Sequence, residues 1–449
     1  MNWFTRILTK ELVDDPPVST KGVGRESIKV RMGEETSDAL FDAVFDAIAR
    51  NDHVLLIGPR GSGKSYAARK AINMAETMNA KRNVAPKSSL LVPQTHITAQ
   101  GNKEMPRDYF FEPEFEFLQG LHGEGETKNR KSQPESNGSV RMGLRQPPLF
   151  RFASLDNQGH VDLEAVPAEN TNTTNMVSRY APRKFEHTVG GVSRKIERFV
   201  LFLDEINRFN DGVLDSLLLL LEERCVIYQG KLVELPVVVV ATMNPPGYDL
   251  SARSLSPPLM SRFNIVKQLY TASPKTLVDV ILPPELGLPQ SRLDSLMYRH
   301  FAVAILAFWG EYNPSRPSSA YLSPEARDLL KAISQAGSES FREDLAFISG
   351  KSNYGPDARG ARDWILAVDR RICSEHSTAD LSCEANGRGN LAKFAVEELG
   401  DAIANKLVLN FSPEAQPEDF QRLMQALGNV TFEIFTLPKL DALIRENLG

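Results

Sequence analysis

The chain has 449 residues, 42% of them hydrophobic and 24% charged, which is too long for one compact domain and ordinary for a globular protein. Its 52 Lys and Arg against 57 Asp and Glu leave a net charge of -5, so the overall basic excess of a chain that coats nucleic acid is excluded, though a local basic pore is not. Cys225, Cys373 and Cys383 form no CxxC pair, and the seven histidines show no HExxH spacing. The expectation is a reducing, cytoplasmic setting with neither a disulfide framework nor a zinc site. No apolar run approaches the roughly 18–20 residues of a membrane span, and the charged first fifteen residues do not read as a secretory leader.

In chain order, residues 1–26 read as an N-terminal extension containing Pro16 and Pro17. Leu40, Phe41, Val44, Phe45 and Ile48 recur at three- and four-residue spacing and predict a helix over 39–50. Val54-Leu55-Leu56-Ile57 reads as a buried strand ended by Gly58-Pro59, with a helix starting at Gly63 or Lys64. A further strand is placed at Ser89–Thr95. Residues 106–198 are rich in Gly, Asn, Ser, Pro and charge, and read as an insertion, partly mobile. Phe199–Leu203 is the next buried strand. Val213, Leu214, Leu217, Leu218 and Leu221 share one face of a following helix, with Asn210 or Asp211 as its N-cap. Cys225–Leu235 reads as a hairpin turning near Gln229-Gly230. Val237–Thr242 is β-branched nearly throughout, as a parallel strand covered on both faces should be. From about 290 the pattern is helical, at 296–309, 324–335, 360–373 and 392–407, with two short helical stretches in the last thirty-odd residues and no internal repeat.

Two segments carry chemistry. Gly58-Pro59-Arg60-Gly61-Ser62-Gly63-Lys64-Ser65 fits the P-loop pattern G-x-x-x-x-G-K-[ST] between a buried strand and a helix. Gly61 and Gly63 allow backbone N–H groups to turn around phosphate oxygens. Lys64 brings a point charge to the β- and γ-phosphates, the Ser65 hydroxyl is placed for Mg²⁺, and the helix running through Tyr66 points its positive end at the same anion. With no N-K-x-D guanine reader in the chain, ATP is expected over GTP. Then Val200-Leu201-Phe202-Leu203-Asp204-Glu205 is an apolar strand ending in two acids, the Walker B arrangement. Asp204 is expected to hold Mg²⁺ and Glu205 to polarise the attacking water. Lys64 and Asp204 lie 140 residues apart, a gap that the 106–198 insertion accounts for.

At Asp204-Glu205-Ile206-Asn207-Arg208 the chain begins to resemble the MoxR-type AAA+ ATPases. Glu222-Glu223-Arg224-Cys225-Val226 with the hairpin after it is similar to that family's hairpin before sensor 1. Ala241-Thr242-Met243-Asn244-Pro245-Pro246 resembles its sensor 1 segment, and Leu255–Phe263 its arginine-finger segment. Gly355-Pro356-Asp357-Ala358-Arg359-Gly360 looks like its sensor 2. The resemblance covers roughly residues 27–105 and 199–412. It implies an α/β AAA+ core with a parallel five-stranded sheet over 27–285, a helical lid over 286–412 and a C-terminal helical extension over 413–449. It also implies roles: Asn244 as sensor 1, orienting the water; Arg262, with Arg253 as runner-up, reaching the γ-phosphate of a neighbouring subunit; and Arg359, with Arg362 and Arg370 close by, reporting nucleotide state to the lid. Arg208 is read either as touching the adjacent subunit or as solvated. A finger in trans implies a homo-oligomer, a hexameric ring by resemblance. The family's work is remodelling a partner protein, often one with a von Willebrand A domain. A nucleic-acid motor of helicase-like or McrB-like type is the alternative, and a scaffold that barely hydrolyses is a third reading.

Overall fold

The structure is a computed structural model. It describes residues 28–31, 37–82, 95–100, 114–118, 141–145, 147–158, 160–166, 178–189, 192–246, 253–289, 297–374 and 385–448. The N-terminal extension, the polar stretch 127–139, Cys383 and most of the strand placed at Ser89–Thr95 lie outside these residues.

One parallel sheet forms the centre of the core. Its strands are β1 (Ile28–Arg31), β2 (Val54–Ile57), β3 (Thr95–Gln100), β4 (Phe199–Asp204), β5 (Val237–Met243) and β6 (Ile265–Gln268). The spatial order is β1-β6-β2-β5-β4-β3, with every pairing parallel. The expected five-stranded sheet is therefore present as β6-β2-β5-β4-β3, and β1 extends it at one edge. Strands β2, β4 and β5 are buried along their whole length, which explains their unbroken apolar sequences. β3 sits at the other edge and alternates, with Ile97 and Ala99 buried and Thr98 and Gln100 exposed. That alternation is why the strand is not legible as an apolar run, and why the run just before it was read as the strand.

Helices cover both faces. α1 (Ser37–Ala49) and α2 (Lys64–Arg82) pack through Phe41, Val44, Ile48, Ala68 and Ala71 onto Leu56, Val200 and Val240. α3 (Asp211–Glu223) packs through Val213, Leu217 and Leu221 onto the opposite face, against Leu201 and Val239. Asn210 caps it, its side chain accepting from the Val213 amide at 2.9 Å. Leu218, expected on the buried face, is only half-buried, and Leu220 is buried instead. Leu255 and Leu259 join the same cluster, the latter from the one-turn helix α4 (Pro257–Ser261).

Where composition predicts an irregular insertion, the described residues between 147 and 196 include β structure. Strands Leu163–Ala165 and Arg179–Pro182 continue the hairpin Cys225–Tyr228/Lys231–Glu234 into a four-stranded sheet. The hairpin turns at Gln229 and Gly230, both at positive φ (49° and 72°), the primed turn that suits strand twist. Phe150 meets Tyr228 at a tilt with ring centroids 4.6 Å apart and Phe185 meets Phe199 at 5.4 Å, while Arg179 forks to Glu223 at 2.9 Å and Glu234 at 3.0 Å. Leu149, Phe150, Val161, Phe185 and Ile196 are too widely spaced in sequence to show a period, but they bury into the same core as β4.

After β6 a helical domain follows: α5 (Tyr298–Ala307), α6 (Pro324–Ala336), α7 (Glu339–Lys351), α8 (Ala358–Ser374), α9 (Ala385–Glu397), α10 (Pro417–Thr436) and α11 (Pro438–Leu448). Its centre is Trp364, edge-on to Phe301 at 4.8 Å, with its indole N–H donating to the Ala395 carbonyl at 2.8 Å. Leu427, Ile434, Phe435 and Ile444 from α10 and α11 bury into this core, so the segment after 413 packs as part of the helical domain. Helix α7 is absent from the sequence expectation, and α10 spans 20 residues where only short stretches are read. No helix among the described residues is long and apolar enough to cross a membrane.

Candidate nucleotide and hydrolysis site

The site lies at the carboxyl ends of β2, β4 and β5, where open parallel sheets present their ligands. β2 runs into the P-loop and α2 begins at Lys64, its first turn closing through the Ala67 amide on the Gly63 carbonyl at 2.8 Å. Gly61 and Gly63 both adopt positive φ, 70° and 82°, the conformation that turns backbone donors inward. A Cβ on Gly61 would also come within 2.7 Å of the Asp357 Cβ, so the first residues of the α8 segment sit directly on the loop. Ser62 stabilises the turn by donating to the Pro59 carbonyl at 2.8 Å. Arg60 is exposed, and Tyr66 is 61% exposed at the first turn of α2.

Lys64 is buried. Its Nζ donates to the Gly58 and Pro59 carbonyls, both at 2.7 Å, so it lies folded onto its own loop. Burial pulls the ammonium down from its ordinary value to about 7; the Asp204 and Glu205 carboxylates oppose this and Arg359 adds to it.

Ser65 Oγ donates to Asp204 Oδ1 at 2.8 Å. The same carboxylate oxygen accepts from Thr242 Oγ at 2.6 Å, and Arg69 stands 3.4 Å from Oδ2. Glu205 follows in the left-handed region (φ 54°, ψ 51°), a backbone that costs a non-glycine residue about 1–3 kcal/mol. Its carboxylate has partners other than those of Asp204. Asn244 Nδ2 donates to Glu205 Oε1 at 3.0 Å, and Arg208 Nη1 lies 2.9 Å from Oε2. Arg208, read as an inter-subunit or solvated residue, thus pairs with Glu205 of its own chain. Buried Asn207 donates to the Asn244 and Arg253 carbonyls, both at 3.0 Å, joining the loop after β4 to the loop after β5.

The structure therefore brings Lys64, Ser65, Asp204, Glu205 and Asn244 together. Arg359 is exposed in the first turn of α8, close enough to act on Lys64 electrostatically. Its neighbours are engaged elsewhere: Arg362 with Glu285 and Asp363, Arg370 with the Leu366 carbonyl. Arg262 stands apart from the cluster. Its Nε and Nη2 both reach Glu222 Oε2, at 3.0 and 2.8 Å, and its Nη1 reaches the Pro258 carbonyl at 2.7 Å. Arg253 ties down its own loop, reaching the Phe209 carbonyl at 2.5 Å and Asp211 at 2.8 Å. Arg69 and Thr242 were not singled out from sequence. Arg69 lies four residues after Ser65 and so on the same helix face, which is a usable signal; Thr242 stands within the segment that resembles sensor 1, but no role of its own follows from that position.

The donor set can be tested against a metal. Ser65 Oγ and the Asp204 carboxylate are hard oxygens in contact, and among the described residues no group of three or more His, Cys, Asp or Glu could hold an ion. The two oxygens suit Mg²⁺, an ion usually carried mainly by substrate phosphates and water with one or two protein ligands.

Residues 162–263 match the family model of the AAA domain, dynein-related subfamily. Asp204, Glu205, Asn244 and Arg262 fall inside the match; the P-loop falls outside it. No curated protein matches the sequence. Among solved structures, a candidate ATPase of Cytophaga hutchinsonii is similar at 12% identity and a TM-score of 0.27, covering 87% of this chain and 88% of that one. NtrX from Brucella abortus, in complex with ADP, is similar at 12% identity and a TM-score of 0.31, covering 77% of this chain and 66% of that one. Residues 162–263 are thus similar to an AAA domain, and they lie in an α/β core with a parallel sheet that is followed by a helical domain.

Proposed function

We propose that the protein is a Mg²⁺-dependent ATPase of MoxR type that works as a ring and remodels a partner protein. The observation that carries the hydrolytic part is the meeting of Ser65, Asp204, Glu205 and Asn244 beside the P-loop. In this reading residues 58–66 bind the phosphates, with Lys64 leaving its loop carbonyls for phosphate oxygens. Ser65 and Asp204 would hold Mg²⁺, which would supply neutralisation of phosphate charge. Glu205 accepts the proton of the attacking water, and Asn244 orients both acid and water. Arg359 meets the phosphates from the lid.

Arg262 is the finger supplied to the neighbouring copy. Its present partner, Glu222, is 55% exposed, and such an exposed pair is worth little, so it is easily exchanged for a phosphate. Arg253 is held in the same way, by one exposed carboxylate and one backbone carbonyl, so the choice of Arg262 rests on the resemblance of Leu255–Phe263 to the finger segment. The partner, possessing a von Willebrand A domain in the family this chain resembles, is engaged by the hairpin at 225–235 and the sheet the insertion builds on it. Nucleic acid is not the expected partner, given the acidic balance; turnover stimulated by single-stranded DNA would favour the alternative motor.

The test is phosphate release from ATP against protein concentration. Specific activity should rise with concentration as subunits assemble. Arg262→Ala and Glu205→Gln should each be inactive alone, while a mixture of the two recovers activity, because a Glu205-bearing site then meets an Arg262-bearing neighbour. Full activity of Arg262→Ala in isolated subunits would remove the ring from the account.

A further inference from the structure

Strand β5 is Val-Val-Val-Val-Ala-Thr-Met, fully buried, and its single hydroxyl belongs to Thr242. A buried hydroxyl must find partners, and aliphatic β-branched residues would fill the same place without that requirement. Thr242 is fully buried and spends both of its hydrogen-bonding capacities on the two acids at the end of the neighbouring strand. Its Oγ donates to Asp204 Oδ1 at 2.6 Å and accepts from the backbone N–H of Glu205 at 3.0 Å. The parallel register, Leu203 beside Ala241, brings Thr242 alongside Asp204.

The second bond falls where the chain needs it. Glu205 occupies the left-handed region, and its amide would otherwise sit part-buried as β4 ends. A side-chain acceptor from the next strand fixes that reversal, and with it the backbone from which the Glu205 side chain departs. The first bond falls on the Asp204 oxygen that also receives Ser65, so it fixes the rotation of the carboxylate about its own axis. Arg69, near the other oxygen, is 62% exposed and a weaker constraint.

We propose that Thr242 is a positioning residue for hydrolysis: one hydroxyl sets the metal-binding carboxylate of Asp204 and the strained backbone that aims Glu205. The inference rests on the ATPase reading of this site. It assigns Thr242 no contact with substrate. Its effect is on the orientation of groups that do touch it, so phosphate binding through residues 58–66 is largely independent of it.

The test uses the full-length protein with Thr242→Val, which keeps the shape and loses the hydroxyl, and Thr242→Ser, which keeps the hydroxyl. Two quantities are read: phosphate release from ATP, and the Mg²⁺ concentration that half-saturates binding of a fluorescent ATP analogue. Loss of a hydrogen bond to a charged group predicts turnover lower by about ten- to a hundredfold in Thr242→Val, with Thr242→Ser close to wild type. Half-saturating Mg²⁺ should rise in Thr242→Val, while binding at saturating Mg²⁺ stays near that of wild type. Thr242→Val turning over at the wild-type rate overturns the inference, as does Thr242→Ser falling as low as Thr242→Val. Loss of nucleotide binding along with turnover in Thr242→Val overturns it too, because the hydroxyl would then serve only the fold. A wild type that binds but releases no phosphate sinks the ATPase reading instead, and the Mg²⁺ titration still decides the role of Thr242.

Discussion

Lys64 sits between two sets of oxygens. It now bonds the carbonyls of its own loop; a bound triphosphate offers anions in their place. With burial holding it at about 7, the side chain is largely neutral at pH 8 before nucleotide arrives. Its folded value lies below its unfolded one, so between about 7 and 10.5 the unfolded chain binds the extra proton, and folding gains from this group as pH rises. Nucleotide reverses the preference, because phosphate favours the ammonium. ATP affinity should therefore fall as pH rises from 7 to 9, by up to about tenfold per unit. Binding at pH 8 should take up a proton, seen by calorimetry as a heat that differs between buffers of different ionisation enthalpy. Equal heats in both buffers would refute this. At this scale the sequence exposes residues whose role follows from a local pattern, as with Lys64, Ser65, Asp204 and Glu205. It hides those whose role depends on which strand lies beside which. Thr242 is legible only once β4 and β5 are known to be neighbours, and Arg208 only once the Glu205 backbone is known to reverse.

Elements add their own constraints. The P-loop can move only as far as the helical domain allows, since Asp357 lies against Gly61. Gly61→Ala places a methyl group at positive φ and within 2.7 Å of another carbon, so it should abolish nucleotide binding while leaving the melting of the helical domain unchanged. Retained binding would show that the loop and α8 separate freely. The α3 cap is simpler. Asn210→Ala removes the acceptor for the Val213 amide and should cost about 1 kcal/mol in denaturant unfolding; no loss would mean that water or a neighbour replaces it. Elements with a strong period or an unbroken apolar run, such as α1, β2, β4, α3 and β5, were legible within a residue or two. The edge strand β3 was not, because Thr98 and Gln100 face solvent and break the apolar run. The β structure of 147–196 was not either, because Phe150, Val161 and Phe185 reach a core formed by segments far away in the chain.

At the scale of the whole molecule, the sheet order puts β5 between the P-loop strand and the strand carrying both acids. Lys64 and Glu205, distant in sequence, thereby share one site, and the helical domain meets it through Gly355–Arg359. That domain has its own aromatic centre. Trp364→Ala there should cost about 3–5 kcal/mol, read by denaturant unfolding, and should weaken ATP binding through loss of α8; unchanged binding would detach the lid from the site. Hydrolysis at Glu205 is tested by phosphate release from Mg²⁺-ATP by wild type and Glu205→Gln, with nucleotide binding measured in parallel. The account predicts turnover by wild type and a loss of roughly a hundredfold or more in Glu205→Gln with binding retained. A Glu205→Gln protein that releases phosphate as fast as wild type would contradict it.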